Sequence, residues 1–204
     1  MGPIVGIVLA GGQARRMGGG DKVLLPLAGA TLLDRVVALA RPQVAALAIS
    51  ANGDPGRFAR FGLPVLPDDL ADDLPGHAGP LAGILAGLEW AAAEHPAADR
   101  LASFAGDTPF FPSDLVARLA AKPGAACAAS GGRLHPVFGL WPVAARLRLR
   151  RALAIEGLRR VEDWARAVAA ERVEFAGGDG GDPFFNVNRP DDLVAAQLLL
   201  AGRS

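Results

Sequence analysis

A three-layer α/β/α sandwich around a mainly parallel sheet is the fold this 204-residue sequence predicts, as one domain over residues 1–204. Three observations predict it. The short continuous apolar run at 4–10 reads as a strand buried on both faces, the environment a parallel sheet creates, and 44–51 and 100–105 read as further strands. Amphipathic segments of helical period separate the runs, and that alternation marks layered α/β folds. Turn-rich clusters close several of the runs: Gly11-Gly12, Asn52-Gly53-Asp54-Pro55 and Gly106-Asp107-Thr108-Pro109.

The elements follow in order. Residues 4–10 form a first strand that runs into a glycine-rich loop. Thr31 caps a helix to about 41, with Leu32, Leu33, Val36, Val37 and Leu39 as its apolar stripe. A second strand covers 44–51, then a short helix 55–61, a short strand 64–66 and an acidic loop 67–73. Gly79-Pro80 opens a helix, with proline in the first turn where no donor is lost, and Leu81, Ile84, Leu85 and Leu88 face the core. A strand at 100–105 precedes a helix from Ser113 to about 121. Residues 125–130 and 134–140 pair around Gly131-Gly132. Helices at 143–154 and 158–169, a strand at 171–175 and a last helix from Pro190 complete the chain. In such sheets ligands bind beyond the carboxyl ends of the strands, which gathers the segment 11–22, Asn52, Asp68 and Asp107 on one rim.

Composition narrows the function. Lys+Arg 21 balances Asp+Glu 21, so bulk charge argues for neither nucleic acid nor an anionic membrane as partner. The single cysteine, Cys127, excludes a disulfide framework and reads as a buried, inert thiol. No apolar run reaches the roughly 18 residues that span a bilayer, and the start of the chain reads as a strand, not a signal peptide. A cytoplasmic protein is the expectation. All but two of the 21 basic residues are arginine, so Lys22 stands out.

The chemistry concentrates in Leu9-Ala10-Gly11-Gly12-Gln13-Ala14-Arg15-Arg16-Met17-Gly18-Gly19-Gly20-Asp21-Lys22. Glycines after a buried strand let backbone N–H groups surround an anion, and Arg16 and Lys22 add positive charge. No Gly-Lys-Ser/Thr occurs and the loop lacks the Gly-x-Gly-x-x-Gly spacing, which excludes a Walker loop and a dinucleotide fingerprint. A cradle for a diphosphate or triphosphate is the reading, against a merely flexible loop.

This segment resembles the signature of sugar-nucleotide-type nucleotidyltransferases, and most closely that of the molybdenum cofactor guanylyltransferases (the MobA family). Gly79-Pro80-Leu81-Ala82-Gly83, Gly106-Asp107-Thr108-Pro109 and Phe185-Asn186-Val187-Asn188-Arg189-Pro190-Asp191-Asp192-Leu193 resemble three further motifs of that family, in order, so the likeness runs from residue 4 to 193. The resemblance implies a Rossmann-like sandwich of the nucleotide-diphospho-sugar transferase type. It implies nucleotide contacts from Leu9, Ala10, Gly11, Gly12 and Gly79. Arg16 and Lys22 are expected on the triphosphate, Asp68 and the Asn52 region on base or ribose, and Asp107 on Mg²⁺, with Asn186 or Asn188 beside it. Ser50-Ala51-Asn52 stands where the family often has Asn-Ala-Asn, so the contact there falls to Ser50 or Asn52. Arg189 replaces the usual threonine. Arg159-Arg160 matches a paired basic segment of the family.

The implied reaction is transfer of GMP from GTP to the terminal phosphate of molybdopterin, with release of pyrophosphate. The attacking phosphate is already ionised, so the site needs charge neutralisation and alignment more than a strong base. Mg²⁺ takes oxygen ligands and keeps waters, so one carboxylate plus phosphate oxygens suffices. The implied partners are GTP, molybdopterin and the molybdoenzyme apoproteins or their chaperones, with no nucleic acid and no membrane; a monomer is expected. Two alternatives stand: a transferase of the same fold using another base or acceptor (a molybdopterin cytidylyltransferase, for example), and a non-catalytic module delivering a finished cofactor. Three features keep two readings each. The arginines between Arg146 and Arg166 form either a solvated face or a contact to phosphate or an acidic partner. His135 is either structural or a pterin contact. Asp107 is either a metal ligand or a turn cap.

Overall fold

The computed structural model describes residues 2–11, 21–68, 79–177 and 181–201. Its first half contains β1 (Ile4–Leu9), a 3-10 turn (Lys22–Leu24), β2 (Pro26–Leu27), β3 (Ala30–Thr31), α1 (Leu32–Ala40), β4 (Leu47–Ser50), a 3-10 helix (Pro55–Phe61), β5 (Val65–Leu66) and α2 (Pro80–Glu94). The second half adds β6 (Arg100–Ala105), α3 (Leu115–Ala120), β7 (Ala126–Ser130), β8 (Arg133–Pro142), α4 (Arg146–Ala154), α5 (Val161–Ala167), β9 (Glu171–Glu174) and α6 (Pro190–Ala201).

The main sheet has the order β5-β4-β1-β6-β8-β7-β9. Its strands run parallel except β8, which is antiparallel to both β6 and β7. Two apolar layers cover it. On one face Val8, Ile49, Phe104, Ala126 and Leu140 pack against Leu33, Val36 and Val37 of α1 and Leu115 and Leu119 of α3. On the other, Val5, Ile7, Leu101 and Trp141 meet α2, Leu149 and Leu153 of α4, and Val161 and Trp164 of α5. A smaller cluster of Leu27, Leu32, Phe110, Val187 and Ala196 seats α6 against the β2–β3 hairpin. The expected three-layer architecture with a mainly parallel sheet is therefore observed.

Local chemistry explains the element ends. Thr31 and Asp34 form a reciprocal capping box at the start of α1. Pro80 occupies the first turn of α2 behind Gly79, whose φ of 57° suits glycine. The β7–β8 turn is two glycines, Gly131 at φ 52° and Gly132 at φ 81°, the sign a tight two-residue hairpin demands. Registry then slips between Cys127 and Ala128, whose partners on β8 are Gly139 and His135, so extra residues bulge from β8. The expected second strand at 44–51 is shorter: Pro42 sits in a 3-10 turn and only Leu47–Ser50 is regular. Among the described residues no helix is long and apolar enough to cross a membrane.

Candidate active site

The parallel strands β1, β4, β5 and β6 end at one rim. There Ala10 donates to the Ser50 carbonyl at 2.8 Å, Ala51 to that of Leu66 at 3.0 Å and Gly106 to that of Leu9 at 3.0 Å. Gly106 must be small: a Cβ would stand 2.9 Å from the Leu9 carbonyl oxygen and 2.9 Å from Val23 Cγ1. Glycine thus lets the end of β6 press against β1, and Asp107 follows immediately at the rim.

Asp107 is the hub of a polar cluster. Lys22 Nζ lies 2.6 Å from Asp107 Oδ2 and 2.6 Å from Asn188 Oδ1. Thr108 Oγ1 donates to Asp107 Oδ1 at 3.3 Å, and the Val187 N–H donates to the Asp107 carbonyl at 3.0 Å. Each partner is aimed by packing. Val23 enters the core and fixes the direction of its neighbour Lys22. Val187 is fully buried, while Asn186 and Asn188 on either side of it are exposed. Asp192 holds that turn, its Oδ2 accepting from the Asn188 and Arg189 N–H groups at 2.7 and 2.8 Å. Three motifs far apart in sequence thereby converge on one ammonium.

Along the rim, Gly11 approaches Asp68, whose Oδ2 lies 3.1 Å from where a Cβ would be. The Asp68 N–H donates to Asn52 Oδ1 at 2.8 Å. Leu9, Ala10, Gly11, Ser50, Asn52, Asp68 and Asp107 thus meet at the strand ends, with Gly79 exposed at the mouth of α2. Of Ser50 and Asn52, Ser50 is buried beneath Gly83 of α2 and Asn52 is exposed. Gly12 and Arg16 lie outside the described residues, as does the acidic loop beyond Asp68.

The paired arginines are engaged locally. Arg159 Nη1 donates to the Leu153 and Leu158 carbonyls at 2.9 and 2.7 Å, and Arg160 pairs with Glu162 at 2.8 Å. Neighbouring arginines also form ion pairs: Arg150 meets Glu89 of α2 at 2.6 Å and Arg166 meets Asp163 at 2.9 Å. Neither Arg159 nor Arg160 joins the Lys22 cluster. His135 stacks on Phe184 with ring centroids 4.6 Å apart, and its Nε2 lies 2.8 Å from Ser130 Oγ. That hydroxyl in turn donates to Asp182 Oδ1 at 2.7 Å. Burial holds the imidazole below its ordinary value, against the opposing pull of Asp182. Burial pushes the Cys127 thiol up to about 12, so it is unreactive at neutral pH.

Sequence reasoning missed Arg57. Its guanidinium joins the Asp21 carboxylate, the Asn52 carbonyl and the Asp54 carbonyl. No local motif marks it, because its partner Asp21 is distant in the chain.

The family description for the MobA-like NTP transferase domain matches residues 6–170. A molybdenum cofactor guanylyltransferase of Mesorhizobium japonicum is 55% identical, covering 97% of this chain and 96% of its own length. One from a Bradyrhizobium species is 51% identical over 97% of this chain and 93% of its own. Among solved structures, molybdopterin-guanine dinucleotide biosynthesis protein A from Archaeoglobus fulgidus superposes with a TM-score of 0.72 at 21% identity, over 97% of this chain and 99% of that one. A Mycobacterium tuberculosis protein solved in complex with manganese gives 0.67 at 19%, over 96% and 98%. At such identities the structures speak for the fold alone.

Proposed function

The chain belongs to the MobA-like NTP transferase family, and on that premise we propose that it transfers GMP from GTP to the terminal phosphate of molybdopterin. It is a nucleotidyltransferase; the products are the guanine dinucleotide form of the cofactor and pyrophosphate. The observation that carries the proposal is the convergence of Lys22, Asp107 and Asn188 at the rim. A non-catalytic carrier has no need of an ammonium and a carboxylate held together where phosphoryl groups would lie.

The acceptor phosphate oxygen forms a bond to the α-phosphorus of GTP while the bond to the bridging oxygen of pyrophosphate breaks, in line. No proton need be removed. Lys22 supplies a point charge on a flexible stem for the triphosphate and the departing pyrophosphate. Arg16 joins it on this reading, as do the backbone N–H groups of Gly11 and Gly12. Asn52 and Asp68 bound the base and ribose side. Asn52, being exposed, is better suited to that contact than buried Ser50.

The donor set suits Mg²⁺. Asp107 Oδ2 and Asn188 Oδ1 converge on one point, both are hard oxygens, and phosphate oxygens and water complete such a shell. Among the described residues no cluster of three or more His, Cys, Asp or Glu offers an all-protein cage, which this metal does not need. When bound, the ion would neutralise charge on the triphosphate. Asp107 and Asn188 would hold it.

We read the working unit as a cytoplasmic monomer that passes its product to a molybdoenzyme apoprotein or its chaperone. The test is incubation of the purified protein with Mg²⁺, molybdopterin and either GTP or CTP, products being resolved by chromatography. Guanine dinucleotide is the expected product. Turnover with CTP and not GTP overturns the assignment.

A further inference from the structure

Arg57 stands on the short 3-10 helix Pro55–Phe61, outside every motif that defines the cleft. One guanidinium there ties together segments from two sides of it. Nη1 pairs with the Asp21 carboxylate, Nη2 donates to the Asn52 carbonyl, and Nε donates to the Asp54 carbonyl at 2.9 Å. Its Cζ lies 5.0 Å from the centre of the Phe58 ring, and Phe58 is fully buried. A planar fork fixed at three nitrogens and backed by a core aromatic is a rigid brace.

The two segments it joins have different tasks. Asn52 presents its side-chain oxygen to the Asp68 N–H at 2.8 Å, on the base and ribose side. Asp21 immediately precedes Lys22, whose ammonium reaches Asp107 and Asn188 on the phosphate side. We infer that Arg57 is a positioning residue for the nucleoside triphosphate, holding these two sides in register and cancelling the charge of Asp21 beside Lys22. This inference rests on the reading that the cleft binds GTP.

The charge argument makes the inference specific. The Asp21 side chain is 19% exposed, so it is well shielded from water. Without Arg57 it becomes an unpaired carboxylate adjacent to the one lysine of the cleft. It then competes with phosphate oxygens for that ammonium and repels a polyanionic ligand. Both effects weaken nucleotide binding and leave the reacting groups themselves in place.

The experiment measures Mg²⁺–GTP affinity by calorimetry, together with KM and kcat for transfer, in wild type, Arg57→Ala, Arg57→Lys and Arg57→Ala combined with Asp21→Asn. Expected are at least a tenfold rise in KM and Kd for Arg57→Ala with kcat within about threefold, a smaller rise for Arg57→Lys, and recovery of most of the affinity in the double variant. Simple loss of structure would not be rescued by removing a second polar partner. Unchanged affinity in folded Arg57→Ala, or a double variant no better than the single one, overturns the inference. Where Arg57→Ala does not fold, Arg57→Lys decides: it keeps the charge and loses the fork, and wild-type affinity there overturns the brace. Wild-type protein that binds no GTP overturns the functional reading and this inference with it; tight binding by wild type and Arg57→Ala alike overturns the inference alone.

Discussion

Replacing Lys22 by methionine tests the centre of the site, because two measurable quantities should move in opposite directions. The ammonium sits 2.6 Å from each of Asp107 Oδ2 and Asn188 Oδ1, with only 10% of its side chain exposed. A divalent cation using those two oxygens must share or take that position. Two unit charges 4 Å apart repel by about 1 kcal/mol in bulk water and about 4 kcal/mol at an effective dielectric of 20. The lysine stem is flexible and lets the ammonium retreat, so the lower part of that range applies even though the metal is divalent. About 1.4 kcal/mol corresponds to tenfold in affinity. Lys22→Met should therefore bind Mn²⁺ about tenfold more tightly without nucleotide, while GMP transfer falls by roughly 10²–10³-fold through loss of electrostatic stabilisation. Titration of free Mn²⁺ by electron paramagnetic resonance reads the first effect, and product formation reads the second. Mn²⁺ affinity equal to or below wild type in a folded Lys22→Met protein would refute the reasoning.

Three further outcomes are expected. Gly83→Ala should lose about 1–3 kcal/mol in urea unfolding, the usual cost of overpacking, because the added Cβ would meet Ser50 Oγ at 2.5 Å and Leu9 Cδ2 at 2.7 Å. Cys127 should resist a chromogenic disulfide reagent at pH 8 in the native state and react fully in urea, since burial holds its thiol at about 12; rapid native labelling would contradict its placement. Burial holds His135 below its ordinary value in the folded protein, so as pH falls past about 6.5 the unfolded chain takes up a proton that the native state refuses. Stability is thus retained above about 6.5 and lost below it, and His135→Gln should lose less between pH 7.5 and 5.5 when urea midpoints are compared.

Much of this molecule is legible one segment at a time. The run 100–105 is a strand with those bounds, ended by Gly106-Asp107-Thr108-Pro109, and Pro190 begins the last helix, because turn residues and first-turn proline act locally. The rim was also readable: Asn52, Asp68 and Asp107 follow strands that prove parallel, and parallel strands end together. Pairing partners are less accessible. Nothing in 134–140 distinguishes a strand antiparallel to β6 from one parallel to it; the hairpin glycines fix its relation to β7, but insertion between β6 and β7 is decided by packing across the whole sheet. That Ser50 is buried and Asn52 exposed depends on which side α2 covers, which the local sequence does not tell. Arg57 was invisible for a related reason, since an ion pair between distant loops leaves no periodicity behind. Arg159 and Arg160 stand out as a pair in the sequence, but nothing local there tells that Arg159 donates to the Leu153 and Leu158 carbonyls or that Arg160 meets Glu162.

The reversed direction of β8 has a consequence for how such a catalyst diversifies. Because that strand starts at the rim, the Gly131-Gly132 hairpin and the Ser130–His135 pair stand at the same edge as Asp107. A surface hairpin accepts insertions more readily than a buried parallel strand end. Lengthening it would reshape the ground beside Asp107 without disturbing the Lys22–Asn188 or Asn52–Asp68 contacts. A descendant chain can thereby alter the neighbourhood of that carboxylate from outside the sheet, with every parallel strand left in place.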